Sequence, residues 1–439
     1  MRQLPEFDWI FTPPWLRKFG LHRLVSVPLL DRVGLHYFAL QASLNAVLGG
    51  VFTLSAVVLA KTLNANEFQV ALFTALGPIA LLIGIFGSEL VQDRDKRPLI
   101  FWVGMISRSS FLLFLLVRDL WSFIAISAVF FVLNAFLTPA VSAMWQANIS
   151  PEYRNRLWGL TGMVMTIITM AAAYISGIVL DRDPWSYRWM YAVGGVFGMA
   201  GIYVLAASPL RGLYKLTAAS TTPTFGRTVI QPMRNLVTLL KKDLNYFHFE
   251  AAFFMYGVAF MLLCPALPMY MVGVAKMTYE QSGIATGLLG QLGMIFAAVI
   301  WGRMMDRMGP TMLCAIIFTI LAFFPIILLL GPLAAAHGIP LVYVVYLGYI
   351  IFGLGMSGIH IAWSLGPVNF AGNKDASTYL GVHVTLTGLR GSIAPMLGAI
   401  GLSVFGYTTV FTTAAIFFLL GTAGMLHLNA KLKRQQVAV

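Results

Sequence analysis

The chain has 439 residues, of which 59% are hydrophobic, 13% aromatic and only 10% charged, with a formal net charge of +13. A soluble domain has about 45–50% apolar and about 25% charged residues, so a water-soluble fold is excluded and an integral membrane protein is expected. The two cysteines, Cys264 and Cys314, lie in apolar runs and rule out a disulfide scaffold; the basic excess reads as loops facing anionic lipid, not as a nucleic-acid surface.

The opening stretch, MRQLPEFDWIFTPPWLRKF, lacks the basic region, apolar run and small-residue cleavage site of a signal peptide. The first span is therefore expected to act as its own insertion signal. A membrane-crossing helix takes about 20 mostly apolar residues. Such runs fall at 34–60, 68–91, 98–117, 120–146, 157–180 and 187–208, then at 246–271, 280–302, 311–331, 339–364, 379–403 and 406–428. They predict an all-α membrane protein of twelve helices in two pseudo-symmetric six-helix bundles. The first bundle occupies 1–208, with 1–33 cytoplasmic, and the second occupies 245–439. The linker 209–244 carries six basic residues, and its second part suits a helix on the membrane surface with Leu and Val on one face. With the N-terminus inside, 22 of the 29 Lys and Arg lie in inner segments and five in outer loops, while Arg108 and Arg390 stay within spans. That bias sets both termini in the cytoplasm of a plasma or inner membrane.

One short pattern recurs at half-chain spacing. DRDKRP (Asp93–Pro98) follows the second span, and GRMMDRMGP (Gly302–Pro310) follows the eighth. A second, looser echo joins WQANISPEYRNRLWGL after the fourth span to WSLGPVNFAGNKDASTYLGV after the tenth. Both echoes point to parallel repeats. At these residues the chain resembles the major facilitator superfamily, whose hinge after the second helix is a glycine, three residues, then Asp-Arg-x-Gly and basic residues. Gly302, Asp306, Arg307 and Gly309 match, although Pro310 replaces the first basic residue. In the first half Asp93, Arg94 and Arg97 match, with Glu89 and Lys96 standing where glycines belong. PEYRNRLWG, with Arg154 and Arg156, is similar to the family's turn between helices four and five. A carboxylate at a helix end can accept the first-turn amides of a facing helix and pair with neighbouring arginines. These hinges are therefore expected to clasp the inner mouth when it shuts, beside the blander reading of topogenic charges.

Polar side chains inside spans are costly and tend to line cavities or pathways. The resemblance places the cavity between helices one, four, seven and ten, which makes Gln41, Asn45, Asn134, Tyr256 and His360 its candidates. Arg390 is a further candidate for contact with an anionic solute or with Glu250. Arg108 is expected to serve structure, because the family's third helix is peripheral. Glu250 lies about 9 Å into its helix at 1.5 Å per residue, and His383 and His360 fall in the same layer. Together they are candidates for carrying protons, against the blander reading that each is satisfied separately.

Twenty-two methionines raise a copper reading, with Met356 and His360 four apart, but their scatter suits gap-filling, so no metal site and no cofactor are expected. There is no GxxxxGK[ST], GxSxG or HExxH, so neither an ATP-driven pump nor an enzyme is expected. The reading is a monomeric secondary transporter in contact with membrane lipid. It moves a small apolar or amphipathic organic solute by alternating access, with protons as the coupling ion. The alternatives are a transport-inactive receptor or assembly protein, or a lipid or metal transporter on the same fold.

Overall fold

A computed structural model describes residues 28–91, 95–209, 231–372 and 376–437, and all regular structure among them is helical. In the first half, α1 (Leu29–Phe52) resumes after a two-residue break as Ser55–Lys61. It is followed by α2 (Glu67–Val91) and by α3 (Arg97–Ser109), which tightens into Ser110–Leu116. Then come α4 (Leu120–Asn148), α5 (Pro151–Arg182) and α6 (Tyr187–Ala206). A short helix, Gln231–Lys242, precedes α7 (Leu244–Met269), which widens into Tyr270–Val274.

The eighth span, α8, is built in pieces: Tyr279–Gly283, a widened turn Ile284–Leu289, Gly290–Phe296, and a stretch from Ala298. Helical dihedrals lapse at Gly309 (φ 75°), which separates α8 from α9 over 310–329. After α10 (Leu341–Ala371), Gly406 (φ 78°) likewise divides α11 over 376–405 from α12 over 407–437. Only glycine adopts such left-handed backbone freely. Among the described residues ten helices are long and apolar enough to cross a membrane; dividing the last at Gly406 gives eleven, and the pieces from Tyr279 stand where the eighth expected span belongs.

The boundaries differ where local chemistry overrides hydropathy. Helix α1 begins before residue 34 because Asp31, buried at its first turn, accepts the backbone N–H and hydroxyl of Ser150 at 3.0 and 3.1 Å. Helix α5 starts at Pro151 because proline suits a first turn, where no N–H is needed. In the linker helix Leu236, Leu239 and Leu240 are half-buried against the core while Val237 is exposed, so the leucine face rests on protein.

Helix α1 packs on α5 and α6, and α4 on α2 and α3; α7 packs on the α11–α12 stretch, and α8–α9 on α10. Four seams join the halves: α5 with the start of α8, α2 with α11, α2 with α7, and the end of α1 with α7. They depend on small residues. A Cβ at Gly391 would lie 2.4 Å from Pro78 Cβ, and one at Gly287 would lie 2.4 Å from Ala173 Cβ. Such close approaches are how helices associate in lipid, where burying apolar surface offers little drive. Outward-facing Trp102, Leu116, Tyr203 and Phe405 are more than half exposed, as lipid-facing side chains should be.

Candidate functional site

The first-half candidates meet. Gln41 and Asn45 lie one turn apart on α1, and Asn45 Nδ2 donates to the Gln41 carbonyl at 3.1 Å. Arg108 reaches between α1 and α4, donating through Nη2 to Asn134 Oδ1 at 2.8 Å and Asn45 Oδ1 at 3.3 Å, and through Nη1 to Ser107 Oγ at 3.3 Å. Its guanidinium lies 5.6 Å from the centre of the Phe130 ring. Room for it comes from α6, where a Cβ at Gly198 would stand 2.7 Å from Arg108 Cγ and one at Gly201 would stand 2.5 Å from Asn45 Nδ2. Gln41, Asn45, Arg108 and Asn134 bound a cavity of about 230 Å³ with Thr138, Ser142 and Trp158. Arg108 thus belongs to the cavity wall, contrary to its expected remote structural place: its helix is peripheral, but its side chain is long enough to cross between two others.

The second-half candidates separate. Tyr256 is only 3% exposed, stacked on Phe318 at 4.7 Å, and its hydroxyl donates to Met356 Sδ at 3.7 Å. Arg390 is 4% exposed and donates to the Phe253 carbonyl at 2.6 Å and to Thr387 Oγ1 at 3.3 Å, packed between the rings of Phe253 and Tyr256. Both are buried in the helix packing, and neither lines the cavity of the first half. His360 is exposed on α10, with Ser364 exposed one turn on.

Glu250 and His383 are a bonded pair. The imidazole Nδ1 lies 2.9 and 3.0 Å from the two carboxylate oxygens, and the side chains are 2% and 0% exposed. Phe253 and Trp363 meet the imidazole edge-on, and Nε2 has no partner. His360, the third member of the expected layer, is not among the hydrogen-bond or ring partners of this pair.

At the end of the molecule that carries the hinges, Asp93 and Arg94 lie outside the described residues. Arg97 forms a two-pronged contact with Asp95 (Nη2–Oδ2 2.9 Å), which also accepts the Arg97 backbone N–H at 3.0 Å. Asp95, unremarked in the sequence pattern, is thus the acidic partner. The hydrogen bond from Arg97 holds its carboxyl below the ordinary range. The pairing is accordingly present above the usual aspartate pKa of about 4 and is lost as pH falls below it. Arg154 folds back onto the end of α4, donating to the carbonyls of Gln146 and Ile149 at 2.8 and 3.2 Å. Arg156 is exposed, with its guanidinium 5.4 Å from the centre of the Tyr153 ring. Asp306 and Arg307 are exposed, and nothing would meet a Cβ at Gly302 or Gly309 within 4 Å.

The opposite end is tied across the halves, by residues that sequence reasoning missed. Asp181, at the end of α5, accepts the backbone N–H groups of Tyr279 and Glu280 at 2.7 and 2.8 Å. These are the first amides of α8, at the positive end of the helix dipole. Lys61 donates to the Met277 carbonyl at 2.9 Å and lies 4.5 Å from the Tyr279 ring centre. Thr62 hydrogen-bonds the Tyr279 hydroxyl, and Tyr174 donates to Glu280 at 3.1 Å.

The described residues thus form a bundle of long apolar helices, with a cavity between α1, α3 and α4 and ties across the halves at Asp181. The family model described as Major Facilitator Superfamily matches residues 38–395 and again 249–438, and the chain belongs to that family. No curated protein matches it. Among solved structures it is similar to the peptide transporter POT in complex with sulfate (TM-score 0.71, 14% identity, 90% of this chain and 95% of that one). It is also similar to the nucleoside transporter NupG (0.63, 12%, 90% and 99%). A third is a bacterial homologue of the human lysosomal transporter Spinster, in an inward-facing, unoccupied conformation (0.63, 14%, 92% and 99%). These likenesses show the fold; membership of the family makes the chain a non-enzymatic transporter, and alternating access is typical of that fold.

Proposed function

We propose that the protein is a secondary transporter for a small amphipathic organic solute, and that it is held here open toward its basic, cytoplasmic side. The observation that carries this reading is the asymmetry of the two ends. Asp181 grips the start of α8 across the halves, whereas Asp306 and Arg307 of the hinge are exposed. The orientation rests on the Lys and Arg bias of the connecting segments. In this reading 1–208 and 245–439 rock as two bundles about the mid-depth cavity. The hinge residues Asp93, Arg94, Asp306 and Arg307 engage when the clasp at Asp181 releases.

The cavity of about 230 Å³ suits a compact solute, and its wall mixes Asn, Thr and Ser with Trp158, which supports an amphipathic one. The buried Glu250–His383 pair supports proton coupling, because it places a carboxylate and an imidazole in direct contact inside the spans. The test is uptake by the purified protein in proteoliposomes, with and without an imposed proton gradient. Accumulation that collapses when the gradient is abolished is expected. Uptake indifferent to the gradient would remove proton coupling, and no uptake of any compact amphiphile would leave a transport-inactive member of the fold.

A further inference from the structure

The molecule buries two arginines within its spans, and they are balanced differently. Arg390 fills a slot beside Gly257, bonded to main chain and to Thr387, and lies within electrostatic reach of Glu250. It borders no cavity among those described. Arg108 is 7% exposed, and among the described residues no carboxylate pairs with it. Its hydrogen bonds go to two amide oxygens and one hydroxyl, all neutral, and its Nε has no partner. Eleven residues past Arg97, it sits about 16 Å along its helix, near mid-membrane. A buried charge is ordinarily paired. Here the charge lines a cavity in place of meeting a carboxylate.

The cavity's shape continues the argument. Thr138 and Ser142 stand one and two turns from Asn134 on the same face of α4, both exposed, and make a polar track to Arg108. Trp158, Leu137 and Val141 supply the apolar side. We propose that this cavity binds an organic anion, with its carboxylate or sulfonate head on Arg108 and a short apolar body against Trp158. Arg108 is the counter-ion; Asn45 and Asn134 position it by accepting from Nη2 and Ser107 by accepting from Nη1, which leaves the second Nη1 N–H for the ligand. This deepens the transport reading and rests on it only for what happens after binding.

The test compares hexanoate, hexanol and hexylammonium, three probes of one chain length that differ in the charge of the head. The full chain, purified in a non-ionic detergent at pH 7 and constant ionic strength, is followed by thermal shift and by tryptophan fluorescence. Hexanoate is expected to bind saturably and to raise the melting temperature, and hexylammonium is expected to do neither. Arg108→Gln should weaken hexanoate about tenfold or more, and Arg108→Lys should weaken it less, since the charge is kept while the planar fork is lost.

Trp158 is exposed, so Trp158→Ala is expected to fold even if Arg108→Gln does not. It should lower hexanoate affinity while preserving the preference for hexanoate over hexanol. Hexanol equal to hexanoate, hexanoate binding unchanged in Arg108→Gln or in Trp158→Ala, or no binding of hexanoate at all would each overturn the assignment. Hexanoate binding without proteoliposome uptake would sink the transport reading alone. Uptake of a neutral amphiphile without hexanoate binding would sink the anion site alone.

Discussion

Arg390 and Gly257 depend on each other. A Cβ on Gly257 would stand 2.0 Å from Arg390 Nε, so Gly257→Ala has to expel the guanidinium from its bond to the Phe253 carbonyl. Overpacking of this kind costs about 1–3 kcal/mol, and a lower melting temperature in detergent is the expected result. Gly302→Ala is the matched control: nothing lies within 4 Å of the added methyl, and no shift is expected in this conformation. Glu250→Gln keeps an oxygen to accept from His383 Nδ1 but can no longer lose a proton. Wild-type uptake is expected to depend on pH, and the variant's profile should be flat. An unchanged profile would exclude the pair from coupling. At this scale polarity was legible and company was not. Gln41, Asn45 and Asn134 stand out in apolar runs, and the first two are visibly one turn apart. That Arg108 joins them depends on Gly198 and Gly201 of another helix, and no local pattern records such a distant vacancy.

Between elements, the governing contact is α5 against the start of α8. Asp181→Asn removes a negative charge from a helix N-terminus and leaves one acceptor oxygen for two N–H groups; losses at such termini run about 0.5–2 kcal/mol. That is about a two- to thirtyfold shift in the balance between conformations. Maleimide labelling of a single cysteine placed at exposed Ser142, in a Cys264→Ala/Cys314→Ala background, is expected to slow in proportion as the inner mouth closes more often. Labelling at the wild-type rate would show that the clasp does not set the balance.

The span limits were readable because apolar runs end at recognisable punctuation. The lapse at Gly309 sits in MGP, that at Gly406 in FGY, and the start of α8 carries a Thr278–Gln281 capping box. The widened turns at Tyr270–Val274 and Ile284–Leu289 were not readable, since nothing in their composition departs from an ordinary helix. Nor was the clasp: Asp181 and Tyr279 are 98 residues apart, and a carboxylate at a span end looks the same whether it faces water or another helix.

For the whole molecule, Gly302 has a different bearing from Gly257. Its surroundings are empty here, yet it belongs to the hinge that the family shares. Gly302→Leu is expected to leave the melting temperature near the wild-type value while slowing proteoliposome uptake, because the bulk is met only when the inner mouth shuts. Equal uptake would mean that this helix end never packs closely during the cycle. The twelve-span layout was visible from hydropathy and the doubled hinge. Which end is shut was not, because a sequence is shared by every state of the cycle whereas a contact belongs to one.

The Asp181 grip has a genetic corollary. Its two acceptor bonds end on peptide nitrogens, which residues 279 and 280 offer whatever their side chains, proline excepted. Missense drift at those positions spares the bonds themselves, while a single-codon insertion just upstream rotates the amides off the carboxylate. The two bonds therefore survive a change of letter there but not a change in length, while the Tyr279 ring answers separately to Lys61 and Thr62.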